Sequence, residues 1–479
     1  MVFSSLSFLF AFLPCFFAVS FLLGRLWGVR GRNAALLLFS LLFYAWGEPL
    51  YVLLMVYSTL LDYSCGRMIQ RAAALGRPRA KKAWLCLSLA GNLGLLFVFK
   101  YLPLFVSTVR SLTGITLAAR MLPLPIGISF YTFQTMSYSI DVYRGKIPAQ
   151  RNLFRFGTYV TMFPQLIAGP IVRYEQIAGE LEGRAPGTED RAEGLRRFIR
   201  GLAKKVLIAN IMAQSADALL AYPATQLGVV GSWLGMLVYA LQLYFDFSGY
   251  SDMAIGIGRM LGFSYPENFR YPYAARSFRG YWQRWHLTMV GFFRDYVYIP
   301  LGGSRVSRGR WLFNFLLTWF LTGLWHGASW NFVLWGLFCA VLLLLERGVW
   351  GRILEKAPLL GRVWAILCIL CSYVLFTHES SGEILPYFAA MFGRFGLAGS
   401  GSLNLYLLLQ RCQINTVFLL SLLAGLLFSF PRAGEAIARS RKRSAAAAWL
   451  WDGVLLLLFL LCAAQLATDA YNPFIYFRF

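Results

Sequence analysis

Only three histidines occur in the 479 residues, so each can be weighed alone as a candidate for proton chemistry. His326 stands in Leu324-Trp325-His326-Gly327-Ala328-Ser329-Trp330, where a long apolar stretch is interrupted. An ionisable side chain held at membrane depth is costly and marks a functional position by default. With an unperturbed pKa of about 6.5, imidazole suits removal of a proton from a hydroxyl, and burial favours its neutral, accepting form. The structural alternative is a histidine bonded to a helix carbonyl. His286 follows Arg279-Gly280-Tyr281-Trp282-Gln283-Arg284-Trp285. Trp282, Trp285, Met289 and Phe293 recur at helical spacing with Arg279, Arg284 and Arg294 around them, which predicts an amphipathic helix at the cytoplasmic interface. On residue pattern alone, an interfacial role and a functional role explain His286 equally well. His378, beside Glu379, is expected to be a solvated residue of an external loop.

Two aspartates, Asp246 and Asp252, interrupt an apolar helix. They could orient a histidine or pair with buried arginine, and pairing is the expected role. The segment Leu301 to Arg310 is glycine-rich and carries Arg305, Arg308 and Arg310. Such a segment could hold the phosphates of a nucleotide-like donor such as coenzyme A, although an ordinary basic turn explains the same composition. The sequence holds no P-loop, no G-x-S-x-G elbow and no metal-ligand spacing, so no metal site is expected. The eight cysteines lie in or beside apolar segments and are expected to be reduced packing residues. This includes Cys368 and Cys371, whose spacing puts them on one helix face.

These residues must be positioned by elements that composition assigns to a membrane. Hydrophobic residues make up 58% of the chain and charged ones 14%, against roughly 25% charged in soluble proteins. A hydrocarbon core of about 30 Å needs roughly 20 apolar residues to be crossed as a helix. Val2 to Leu23 and Ala445 to Leu466 are such runs, and Leu312 to Leu345 exceeds one span. The net charge of +24 falls in short clusters between apolar runs, as cytoplasmic loops do, so no nucleic-acid partner is expected.

The first basic residue, Arg25, comes after the first apolar run, which predicts a retained helix with its N-terminus outside. Arg25 to Arg32, Arg67 to Lys82 and Pro431 to Arg443 are expected inside, and the tail Tyr471 to Phe479 outside. Met121 to Ile140, with Pro123, Pro125 and Gly127, is expected in the bundle interior, where protein can satisfy its freed backbone groups. Tyr159 to Pro170 is too short to cross and reads as re-entrant, and Glu180 to Arg200 as a solvated loop and helix. Leu312 to Leu345, basic at both ends, predicts a hairpin bent near Gly323 to Ser329 inside the membrane. The predicted class is therefore all-α: one polytopic bundle, residues 1–479, with re-entrant and interfacial helices.

Several ordered motifs bring a family into view. Tyr281-Trp-Gln-Arg-Trp-His286, Phe293-Arg-Asp-Tyr-Val-Tyr-Ile-Pro-Leu-Gly-Gly303 and Leu324-Trp-His326-Gly-Ala-Ser-Trp330 resemble the membrane-bound O-acyltransferase family. The likeness is to the branch that holds the membrane subunit of bacterial alginate O-acetyltransferase. The segments 123–134, 163–170, 246–254 and the tail 472–477 are similar too. The resemblance implies that His326 is the catalytic histidine and His286 its second. It also implies a central funnel open to cytoplasmic acetyl-CoA on one side and to the acceptor on the other, with no bound cofactor. The acceptor would be hydroxyls of an extracytoplasmic polysaccharide such as alginate or peptidoglycan, commonly reached through an esterase-like partner protein at the bacterial cytoplasmic membrane. The stretch Phe376-Thr377-His378-Glu379 departs from the Phe-Arg pairing of that family. D-alanyl transfer to teichoic acid is the near alternative, and the Asp295 to Gly303 string favours acetyl. A proton-coupled transporter using His326 as a relay is the alternative of another class; it calls for inverted repeats, and none is visible.

Overall fold

The computed structural model describes residues 1–118, 121–397, 410, 412–468 and 471–475. Among them every regular element is helical, and five stretches are long and apolar enough to cross a membrane. Two further bent helix pairs pass the same test when taken together. The protein is an all-α, multi-pass membrane protein, as its composition requires. Its residues gather into two compact units, 1–198 with 251–266, and 199–250 with 267–479.

In the first unit, helix α1 (Leu13–Gly47) reverses at Gly28, whose φ of 59° is a conformation that side chains with a Cβ rarely adopt. The two arms close on edge-on and tilted ring contacts, with Phe12 and Phe16 each 5.5 Å from Phe39, and Phe8 5.9 Å from Phe43. The basic cluster at Arg25 to Arg32 thus marks a turn between two apolar segments, as expected. Helices α2 (Val52–Ala74), α3 (Pro78–Leu96) and α4 (Ile128–Arg144) pack on one another. Every residue from Ile128 to Ser139 is buried, so this part of the expected interior segment lies inside the bundle, whereas Met121, Pro123 and Leu124, ahead of the helix, are exposed. The seam between these helices is polar: the fully buried Asp62 accepts from Ser88, Asn92 and Ser139. In an apolar surround such bonds are worth about 1 kcal/mol each and fix which faces meet.

The short helices Leu153–Thr161 and Phe163–Leu166 are separated by Met162, and Gln165 Nε2 donates to Tyr159 O at 2.8 Å. Side-chain amides replacing helix bonds are what a buried, broken element needs. The expected solvation of residues 180–200 does not hold throughout. Arg184 is buried and donates to Asn33 Oδ1 at 2.6 Å and to Leu261 O at 3.0 Å, its guanidinium lying 4.2 Å over Phe263. Carbonyls and an aromatic face take the place of water around this arginine.

Helix α5 (Ala224–Leu261) carries both aspartates. Asp252, in the first unit, pairs with Arg197 at 2.8 Å, and Asp246, in the second, pairs with Lys205 at 2.8 Å. The pairing role holds for both, with lysine instead of arginine at Asp246. That ion pair also holds the chain end: Ile475 N donates to Asp246 Oδ2 at 2.9 Å and Lys205 donates to Pro473 O. Tail residues 476–479 lie outside the described residues, as do residues 398–409 of the expected external loop.

The second unit contains the predicted hairpin. Beyond the short helices α6 (Phe278–Trp282) and α7 (Leu287–Phe293), helices α8 (Arg308–His326) and α9 (Trp330–Leu345) lie against each other and are joined by Gly327–Ser329. At 19 and 16 residues the arms measure about 28 and 24 Å of helix. Gly323 and Gly336 face the opposite arm so closely that an added Cβ would overlap the carbonyl oxygens of Phe332 and Trp319. Two glycines therefore let the arms approach backbone to backbone.

Candidate functional site

The segment around His286 is not one amphipathic helix. It is divided into α6 (Phe278–Trp282) and α7 (Leu287–Phe293), with His286 between them at φ 44°. A left-handed residue that is not glycine is uncommon and is held there by its surroundings. Asn268 supplies the hold. Its Oδ1 lies 3.0 Å from His286 Nδ1 and accepts from Thr288 Oγ1 at 2.9 Å, while its carbonyl accepts from Leu287 N at 2.9 Å. With an amide oxygen as partner, Nδ1 carries the proton, an assignment that follows from the hydrogen-bond network. His286 is fully buried within the protein. Burial, with His326 adding to it, holds its imidazole well below the usual histidine range, so the ring is neutral.

His326 ends helix α8 and is buried at the hairpin bend. Its ring lies 4.9 Å from Trp325, 4.9 Å from Trp335 and 5.6 Å from Phe376 of helix α10 (Pro358–Thr377). Trp325 in turn lies 5.8 Å from His286, so one indole separates the two histidines. A small cavity of about 20 Å³ opens beside His326, walled by Tyr281, Trp282, Trp285, Trp335 and Phe376, with Ser372 and Tyr373. That is room for a group about the size of a water molecule. His286 stands behind this wall, against Phe247 at 4.7 Å.

Two positioning residues escape a reading of the sequence. Asn268 sits in Glu267-Asn268-Phe269 with no periodicity to single it out. Glu346, at the end of α9, is buried and accepts from Phe278 N and from Arg279 N at 2.8 Å, and from Trp364 Nε1 at 2.8 Å. A carboxylate on the first N–H groups of a helix satisfies donors that the helix leaves open. It fastens α6, and with it Tyr281 and Trp282, against α9 and α10. A lone acid beside Arg347 at the end of an apolar run gives no signal of this.

Arg305, Arg308 and Arg310 are exposed at the opposite end of α8 from His326. Eighteen helical residues put Arg308 about 27 Å from His326 along the axis. The turn before them is built: Gly302 and Gly303 have φ of 107° and 56°, and Asn314 Nδ2 donates to Leu301 O at 3.0 Å. Arg310 lies over the Phe313 ring at 5.5 Å. His378 is half-buried rather than solvated, with Nδ1 2.9 Å from Thr377 Oγ1 and its ring 4.6 Å from Tyr387. The eight cysteines are free thiols, and among the described residues no cluster of His, Cys, Asp and Glu could hold a metal.

A multi-pass helical membrane protein with one buried histidine at a small aromatic-walled cavity and a second behind that wall is the class these features define. The pattern of the MBOAT, membrane-bound O-acyltransferase family matches residues 92–376, which include both histidines and the three arginines. A probable alginate O-acetylase of Pseudomonas putida is 37% identical over the whole of both chains. A peptidoglycan O-acetyltransferase of Helicobacter pylori is 35% identical over 72% of this chain and 70% of its own. A teichoic acid D-alanyltransferase of Bacillus subtilis is 29% identical over 46% of this chain and 58% of its own. The chain belongs to the membrane-bound O-acyltransferase family and is an O-acyltransferase.

Proposed function

We propose that the protein moves an acetyl group from cytoplasmic acetyl-CoA to hydroxyls of an extracytoplasmic polysaccharide such as alginate or peptidoglycan. The observation that carries this reading is the burial of His326 at the tip of a hairpin, beside a small aromatic-walled cavity. His326 is the base: its imidazole takes the acceptor hydroxyl's proton as the oxygen attacks the thioester carbon, then gives a proton to the departing thiolate. His286, neutral and fixed by Asn268, is the second histidine and keeps Trp325 and the wall behind His326 in place. The arginines at the far end of α8 receive the donor's phosphates. No bound cofactor is required. The chain acts as one functional domain around a funnel in the bacterial cytoplasmic membrane, with an esterase-like partner completing transfer to the polymer. Full-length likeness to alginate O-acetylases, against 46% coverage by the D-alanyltransferase, favours acetyl over D-alanyl.

Purified protein in nanodiscs is expected to release free coenzyme A thiol from acetyl-CoA when a hydroxyl acceptor is added, read with a thiol reagent. No release with acetyl-CoA, alongside turnover of an aminoacylated carrier protein, would replace acetyl with D-alanyl transfer. Replacing Arg305, Arg308 and Arg310 together with glutamine is expected to raise the apparent KM for acetyl-CoA roughly 10-fold, from about 0.5 kcal/mol for each exposed contact. The wild-type KM should rise with salt, and the variant's should not. An unchanged KM removes the donor-binding role of these arginines.

A further inference from the structure

The residues that wall the cavity beside His326 carry more donors than the protein satisfies. Ser372 Oγ donates to Ile369 O at 2.8 Å, and the hydroxyls of Tyr281 and Tyr373 meet each other at 2.9 Å. The indoles of Trp282 and Trp335 differ. Both rings border the cavity and lie 5.8 Å apart, both residues are over nine-tenths buried, and neither Nε1 has an acceptor among the described residues. Indole N–H is a donor only, and a buried donor without an acceptor costs about 1–3 kcal/mol. Two such costs at one small cavity, next to a histidine, call for an acceptor that arrives with the substrate.

We infer that Trp282 and Trp335 are the electrophilic half of the site, their indole N–H groups binding the carbonyl oxygen of the acyl thioester. This inference rests on the acyl-transfer reading given above and assigns a role that the histidines cannot fill. As the acceptor oxygen forms its bond to the carbonyl carbon, the C=O π pair moves onto the oxygen, and the hydroxyl proton passes to His326. The two N–H groups hold that oxyanion. The pair then returns to re-form C=O, the C–S bond breaks, and the thiolate takes the proton from the imidazolium. Donors fixed by packing cost no reorganisation as the charge develops, and the dry surround strengthens them. Packing here is dense: Trp335 lies 4.9 Å from His326 and 5.1 Å from Phe376, and Trp282 lies 4.7 Å from Trp319. Glu346, which fastens α6, is then a positioning residue for Trp282.

The test replaces each tryptophan with 3-benzothienylalanine, which keeps ring size and packing and puts sulfur where the N–H was. Kinetics use the thioester that the wild-type chain consumes, so failure of the acetyl assignment and failure of this inference are separate results. Loss of about 10²-fold in kcat at either position, with donor KM and folded yield unchanged, is the expected outcome. Trp282→Phe and Trp335→Phe should lose at least as much. Wild-type kcat in both benzothienyl variants overturns the assignment. So does a rise in KM at constant kcat, which marks ground-state contact alone.

Discussion

His326→Gln is expected to lower acetyl transfer per folded molecule by roughly 10²–10⁴-fold, the usual worth of a positioned general base. Glutamine can hydrogen-bond but cannot take up a proton at neutral pH. His326→Ala should lose at least as much, yet it is the less decisive variant. The ring is packed among Trp325, Trp335 and Phe376, so alanine opens space in an aromatic cluster and lowers folded yield as well. Glutamine fills more of that space and separates proton transfer from packing. His286→Ala is expected to give a milder loss, because that ring borders Trp325 and not the cavity. Thiol release and acetyl incorporation, each normalised to the monodisperse fraction, measure all three variants. Near-normal turnover by His326→Gln would remove the general-base role, and equal losses for His286→Ala and His326→Gln would remove the division of labour between the two histidines.

Much of the scaffold around these residues was legible because membrane physics is one-dimensional. Run length and basic flanks gave the hairpin that ends in His326, and its bend came where Gly323 to Ser329 predicted it. Serine and glutamine in an apolar run marked Ile128 to Ser139 as interior, since lipid satisfies no polar group, although Pro123 just ahead of them is exposed. Intramembrane aspartates implied cationic partners, but which cation was a question of tertiary placement: Lys205 is 41 positions from Asp246 along the chain. The segment at His286 was misread for a definite reason. Trp282, Trp285, Met289 and Phe293 keep helical spacing across a residue in left-handed geometry, and only Asn268, remote in pattern, enforces the break. Arg184 looked solvated because its acceptors are backbone carbonyls and Asn33, which carry no charge signal. Glu346 and the orphan indole donors were hidden likewise. Their importance lies in which bonds are made or left unmade in the folded chain, and composition does not record that.

The hairpin also supplies the second large effect, on stability and activity together. Gly323→Ala and Gly336→Ala each place a methyl group against a backbone carbonyl of the opposite arm, where no rotamer can relieve the overlap. The arms must separate, at a cost of about 1–3 kcal/mol for overpacking. Because His326 lies three residues beyond Gly323 on the same helix, the shift reaches the imidazole directly. Positioning errors of about 1 Å cost on the order of 10²-fold in rate. Both variants are therefore expected to lower the thermal midpoint in detergent and to lose activity per folded molecule. The double variant should lose less than the sum, since an added Cβ at Gly336 also closes on Gly323 and one separation relieves both clashes. Gly453→Ala in the helix Ala445–Thr468 is the control: nothing lies within 4 Å of its added methyl, and alanine is the better helix former by about 1 kcal/mol. Thermal midpoints for Gly323→Ala and Gly336→Ala equal to that of Gly453→Ala would show that the close contact of the arms holds neither the fold nor His326 in place.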